Sequence, residues 1–154
     1  MKYKKQLLII TQLDAQLQKL SLLDSTTLPT GGWVKAIRIA LKMSLRQLGE
    51  KLHITSQSAR EIEEREANGS LTLKGLREAA NALDMKLVYG FIPKDDSLKK
   101  MIEKKAHEVA RHIVMQTSHS MKLEDQENSA ERIEQAIEEK AEELKREMPR
   151  YLWD

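Results

Sequence analysis

The sequence predicts a mainly α protein in which two short helices meet at a tight turn, further helices extend both ends, and one short strand follows the turn unit. Charged residues make up 32% of the 154-residue chain, and only six Gly and three Pro interrupt it. This composition favours helix. Apolar residues recur at helical spacing through most of the chain. The exception is MKLVYGFI at 85–92, where β-branched and aromatic residues before Pro93 predict a strand.

The stretch 44–62 predicts the two short helices and their turn. Ser44 and Gln47 form a capping box at the start of the first helix. Three leucines share one face of that helix: Leu45, Leu48 and Leu52. Thr55 is the N-cap expected for the second helix, SQSAREIEER, which is almost entirely polar. Such a helix either is simply solvated or packs by a narrow seam while its outer face contacts a ligand, as in a helix-turn-helix.

The stretch resembles the helix-turn-helix of the phage-repressor (XRE) family. The matching positions are Arg38, Leu48-Gly49, Ile54 and Ile62-Glu63. The resemblance implies a five-helix-like repressor domain that binds double-stranded DNA, with Arg38 paired to Glu63 so that the first helix is held to the third. Three residues depart from the family pattern. Leu45 replaces a phosphate-contacting Gln, His53 replaces the turn Gly, and Arg65 replaces Asn or Gly.

Aligned by motif, Ser56, Gln57 and Glu61 fall where the resembled repressors contact bases, and Arg60 lies beside them. Gln57 can pair with adenine, Arg60 with guanine, and Glu61 can accept a hydrogen bond from cytosine N4. The candidate phosphate contacts are Lys35, Arg46, Ser58 and Arg65. Residues 33–92 carry ten Lys and Arg against seven Asp and Glu, a modest positive excess that suits a phosphate-binding surface.

Three segments are expected: an N-terminal helix and linker (1–32), a helix-turn-helix DNA-binding domain with a closing strand (33–92), and a helical C-terminal extension (93–154). The first helix has an apolar seam that either packs within the chain or joins a second copy: Ile10, Leu13, Leu17 and Leu20. A lone strand needs a partner, and pairing across a dimer axis would supply one. We therefore expect a homodimer that binds an inverted-repeat operator.

The C-terminal extension predicts a helix from Ser97 with a break at 116–120, and a last helix at 129–148. Together with LVYGFIP, the phrase MKLEDQ at 121–126 and a Leu-Trp near the end, it resembles the family called mobile mystery protein A. That resemblance implies a neighbouring Fic-domain protein as a possible partner, in an antitoxin–toxin arrangement. Together with the expected dimer, the two resemblances imply a sequence-specific, dimeric, autoregulating antitoxin. The alternative is an inhibitor that acts mainly by masking the Fic-type partner, with DNA binding secondary.

The same sequence argues against an enzyme. His107-Glu108 and His112 suggest HExxH, but the second His comes five residues after the first, so the two diverge by about 140° around a helix. No Gly-rich phosphate loop is present. We expect no catalytic residue, metal or cofactor. The chain has no Cys, and its longest apolar run is Leu7 to Ile10, so we expect a cytoplasmic protein that does not enter a membrane.

Overall fold

The computed structural model describes residues 2–122 and 130–154, and in this part of the chain it contains seven α-helices and two short 3-10 helices. The predicted mainly α fold is therefore confirmed. The chain forms two compact units, a central unit of Leu23–Gly90 and a terminal unit of Met1–Leu22 with Phe91–Asp154. The N-terminal helix, predicted as part of a separate segment, thus belongs to the same unit as the C-terminal extension.

The central unit consists of four helices: α2 (Trp33–Ala40), α3 (Leu45–Leu52), α4 (Ser56–Asn68) and α5 (Leu73–Ala82). Each helix contributes a buried residue to the core of the central unit, and Leu83 is added just after α5. The set is Val34, Leu48, Ala59, Ala79 and Leu83. Three of the helices begin at a hydroxyl side chain that accepts a hydrogen bond from the backbone three residues later, which satisfies a free N–H group. These local caps define where α3, α4 and α5 start.

The turn between α3 and α4 is compact and contains no glycine. Ser44 and Gln47 form the predicted capping box at the start of α3. His53 ends α3 in the left-handed conformation, with φ 58°. The N–H of Ile54 then donates to the carbonyl of Gly49 over 2.8 Å, which folds the chain back on α3. A side chain at the position of His53 is therefore accommodated at positive φ, where glycine is preferred.

The predicted strand at 85–92 is not present: the chain from Met85 to Pro93 has no regular secondary structure. In this helical chain nothing described pairs with it, and β-branched or aromatic residues favour a strand only where a pleated surface is available. Val88, Tyr89 and Phe91 are mostly exposed, at 64%, 56% and 80%. The guanidinium of Arg77 lies 5.7 Å from the ring centre of Tyr89, a cation–π contact with α5.

In the terminal unit, α1 (Lys2–Lys19), α6 (Leu98–Lys122) and α7 (Ala130–Glu147) are followed by a 3-10 helix at Arg150–Trp153. Three alanines lie in the core where α6 packs on α7, and their small side chains allow a close approach. The buried set is Ala106, Ala110, Ile137, Ala141, Leu144 and Leu152. The chain end therefore docks through Leu152, whereas Tyr151 and Trp153 are 47% and 53% exposed.

The first helix of the terminal unit is held to α6 by polar and apolar contacts. Ile10 is buried and Leu17 is half-buried. The carboxylate of Asp14 accepts hydrogen bonds from the N–H groups of Leu98 and Lys99, over 2.7 and 3.3 Å. A carboxylate at this position satisfies free N–H groups and is stabilised by the helix dipole. The predicted intrachain packing of α1 is therefore found for part of its apolar seam.

The predicted break at 116–120 is wrong, because α6 continues to Lys122. The polar residues there do not interrupt the helix, since the Thr117 hydroxyl donates to the Ile113 carbonyl over 3.1 Å and is satisfied within the helix itself. Residues 123–126, most of the MKLEDQ phrase, lie outside the described residues. None of the helices in the described ranges has both the length and the apolar character needed to cross a bilayer.

Two helical glycines provide a test of the packing between α3 and the turn. A Cβ at Gly49 would lie 2.7 Å from the backbone oxygen of Ile54, whereas a Cβ at Gly75 would meet the flexible side chain of Leu71. We expect Gly49→Ala to destabilise the protein by about 1–3 kcal/mol, as overpacking does. Gly75→Ala is the matched control and should be neutral or stabilising by up to about 1 kcal/mol. Urea unfolding measures both, and equal effects would contradict the expectation.

Candidate nucleic-acid interface

The outer face of α4 displays the four residues predicted to read bases. Ser56, Gln57, Arg60 and Glu61 are all exposed and occupy the first half of the helix. The opposite face is buried through Ala59 and Glu63. Because successive helical residues point about 100° apart, Gln57, Arg60 and Glu61 lie on the side of α4 away from that seam. The arrangement leaves hydrogen-bonding groups of three kinds, amide, guanidinium and carboxylate, directed to solvent along one helix.

A buried ion pair fixes α4 against α2. The Arg38 guanidinium donates to both carboxylate oxygens of Glu63, through Nε and, over 3.3 Å, through Nη2. Nη1 also donates to the Met43 carbonyl over 2.9 Å. The two side chains are only 12% and 6% exposed. This confirms the pairing of Arg38 with Glu63 that the repressor resemblance implies, and it shows that neither residue belongs to the exposed face of α4.

A second carboxylate of α4 caps α2 and was not identified from the sequence. Glu66 accepts hydrogen bonds from the N–H groups of Trp33 and Val34, over 3.0 and 2.8 Å. The preceding residue, Gly32, is the N-cap of α2 and has φ 88° with no capping side chain. A Cβ at Gly32 would lie 2.7 Å from the Glu66 carboxylate. Nothing local in the sequence signals this contact, since the two groups are more than thirty residues apart.

The four predicted phosphate contacts differ in how available they are. Lys35, Arg46 and Arg65 are exposed. Arg46 lies 3.5 Å from Glu50, but both side chains are more than 60% exposed, so this pair contributes little and leaves the guanidinium accessible. Ser58 is half-buried, and its backbone and hydroxyl both bond to the Thr55 hydroxyl, over 3.1 and 3.0 Å. Ser58 therefore belongs to the cap of α4 more than to the exposed face.

Two of the predicted residues line one shallow groove beside α4. Lys35 of α2 and Arg60 of α4 share it with Glu64 and with the Arg38–Glu63 pair. Because Arg38 and Glu63 neutralise each other, the charges left at the rim are two cations and one carboxylate. The groove thus brings a predicted phosphate contact and a predicted base contact to the same surface, with a small positive excess.

Comparisons of this chain with protein-family models, with curated proteins and with solved structures found no match. The residues themselves therefore carry the functional argument.

The ion pair gives a test of how α4 is held. Arg38→Met removes the partner of a buried carboxylate, so we expect a loss of about 3–5 kcal/mol in the free energy of unfolding. The double variant Arg38→Met/Glu63→Met removes both charges and should recover most of that loss. Chemical denaturation of the two singles and the double completes the cycle. A double variant as unstable as Arg38→Met would show that the cost arises from packing and not from the unpaired charge.

Proposed function

We propose that this protein is a sequence-specific DNA-binding regulator whose α3–turn–α4 segment acts as a helix-turn-helix of the phage-repressor type. The observation that supports it best is the division of α4 into two faces. Glu63 and Glu66 hold the inner face to α2, while Gln57, Arg60 and Glu61 remain exposed in the first half of the helix. Helix-turn-helix proteins present the start of their second helix to base edges in the major groove.

The proposed interface combines base and phosphate contacts. Gln57 pairs with adenine and Arg60 with guanine, while Ser56 and Glu61 complete the reading surface. Lys35, Arg46 and Arg65 contact phosphates and set the register of α4 in the groove. We further propose that the protein is cytoplasmic and acts as a homodimer on an inverted-repeat operator. A twofold pair of such helices matches two half-sites about one turn of DNA apart.

Substitutions in α3 and α4 distinguish base contacts from phosphate contacts. On the DNA upstream of its own reading frame, we expect Gln57→Ala and Arg60→Ala each to weaken binding by about 1–3 kcal/mol and to relax discrimination at one base pair. Arg46→Ala should weaken binding to all sequences alike and lower the slope of log affinity against log salt by about one. Electrophoretic mobility shifts over a salt series measure both effects.

Arg150→Ala is the matched control, since Arg150 is an exposed cation of the terminal unit. It should leave both the affinity and the salt slope unchanged. If Gln57→Ala binds the upstream DNA as tightly as the parent chain does, α4 does not read bases and the proposed function is wrong.

A second function, capture of a protein partner, is favoured by the end of the terminal unit. Tyr151 and Trp153 are about half-exposed on either side of the buried Leu152, which holds them in place. Tyr and Trp are enriched among the residues that contribute most to protein interfaces. With the resemblance to the mobile mystery protein A family, this supports a Fic-domain protein as the partner, in an antitoxin–toxin pair. Both side chains belong to the terminal unit, outside the proposed reading surface on α4.

The partner hypothesis is tested by co-purification with the Fic-type protein encoded beside this chain. We expect Tyr151→Ala/Trp153→Ala to weaken the complex at least tenfold, because removing an aromatic side chain from the centre of an interface typically costs about 2 kcal/mol or more. DNA binding should be unaffected. Leu41→Ala is the control, since Leu41 is 55% exposed in the central unit. An unchanged complex in the double aromatic variant would place the partner site elsewhere.

A further inference from the structure

The first helix, α1, has an exposed apolar face that adjoins the face packed in the terminal unit. Ile10 is buried and Leu17 half-buried on the face that packs in the terminal unit. Ile9 points about 100° away from Ile10, and Leu13 points about 60° away from it in the same direction, so the two lie along one edge of the packed face. They are 46% and 42% exposed. The 18-residue helix thus packs through one apolar face within its own unit and keeps the adjoining apolar face in solvent.

The exposed face follows the spacing of a coiled coil. Its positions alternate in steps of four and three and include the first residue after α1: Lys2, Gln6, Ile9, Leu13, Gln16 and Leu20. All are exposed except Leu20, which is half-buried. Steps of this kind keep a seam facing a partner helix over several turns. The pattern therefore fits a second α-helix lying along α1 better than it fits a compact ligand.

The exposed face of α1 is complementary to the same face of a second copy when the two helices are antiparallel. With two α1 helices antiparallel and a twofold axis level with Thr11, Ile9 of each copy meets Leu13 of the other. Gln6 then meets Gln16 of the second copy, and two amide side chains can hydrogen-bond to each other. A polar layer in such a seam specifies register, because any shift would place the amides against apolar side chains.

Charge favours the antiparallel direction. Lys2, Lys4 and Lys5 begin α1, and the only acidic residue within the helix, Asp14, is used in capping α6. Parallel helices would bring the two basic ends together. The antiparallel pair instead places each basic end beside the C-terminal end of the other α1, where the helix dipole is negative and the last turn carries a single cation, Lys19.

From this complementarity we infer that the exposed face of α1 is the dimer contact of the proposed regulator, an antiparallel two-stranded coiled coil with α1 of a second copy. The inference rests on the dimeric function proposed above and assigns its contact surface. Ile9 and Leu13 form the apolar layers, and Gln6 with Gln16 sets direction and register.

Disulfide trapping tests the contact in the full chain, which has no Cys of its own. In the antiparallel pair, Gln6→Cys/Gln16→Cys places thiols of different copies at one level, so mild oxidation should convert most of the protein to a covalent dimer. Either single variant should stay monomeric on a non-reducing gel, because its two thiols lie about ten residues, or about 15 Å, apart along the axis. Lys4→Cys/Gln18→Cys is the matched control, at the same level but on another exposed face.

Three results would overturn the inference. Efficient crosslinking of a single variant would indicate a parallel pair, equal crosslinking of the control would indicate random collision, and no crosslinking would mean that a different molecule covers this face or that none does. The proposed DNA function is judged separately. If crosslinking fails while the reduced protein still shifts its upstream DNA with two chains per duplex, the dimer forms through another surface and the function stands.

Discussion

The central unit depends on two carboxylates of α4 that point inward. Glu63 pairs with Arg38, and Glu66 caps the start of α2. Glu63 is buried, and a buried charge is tolerated only when it is paired and hydrogen-bonded, so its contact with Arg38 permits very little movement. Arg38 also donates to the Met43 carbonyl, so a single guanidinium joins α2, α4 and the connection that leads into α3. The exposed residues of α4 are therefore presented at a fixed angle, which a surface that reads base edges needs.

Helix ends in this chain are made without much glycine, and that is a second constraint. Five non-glycine residues adopt positive φ in the described residues, among them His53 and Asp84. Aspartate tolerates this conformation, whereas a histidine or lysine costs on the order of 1 kcal/mol there. At His53 the cost is offset by the capping box that begins α3 and by the Thr55 cap that begins α4. The turn is therefore kept by the hydrogen bonds on both sides of it, not by the intrinsic preference of its residues.

Whether a feature could be predicted from the sequence depends on how far apart in the chain the interacting residues lie. The caps at Ser44 and Thr55 and the apolar seams of α3 and α4 depend on neighbours a few residues away, so spacing alone located them. The Glu66 and Asp14 caps join groups 32 to 85 residues apart, which no local pattern marks. The prediction of a strand at 85–92 was wrong because it used local preference alone. The residues favour a strand, but a strand also needs a second strand to pair with. The repressor resemblance and the polarity of SQSAREIEER predict the exposed face of α4. The cap that Glu66 forms on α2, in contrast to the ion pair of Glu63, could be recognised only from the structure.

The charge of the α4 surface constrains how the proposed regulator could bind. Arg60 and Arg65 are interleaved with Glu61 and Glu64, and the segment 33–92 has an excess of only three positive charges. Sequence-independent binding to DNA scales with the number of phosphates neutralised, so one such module holds a random duplex weakly. Its affinity then has to come from base contacts, which are few on a single helix. When two modules are joined, the second binding event becomes intramolecular, so its contacts add to the overall affinity. A dimer can therefore bind a paired site tightly even though each module is only weakly attracted to non-specific DNA. In the proposed regulator, carboxylates such as Glu61 would penalise wrong DNA sequences, and the second copy of a dimer would restore the affinity that they cost.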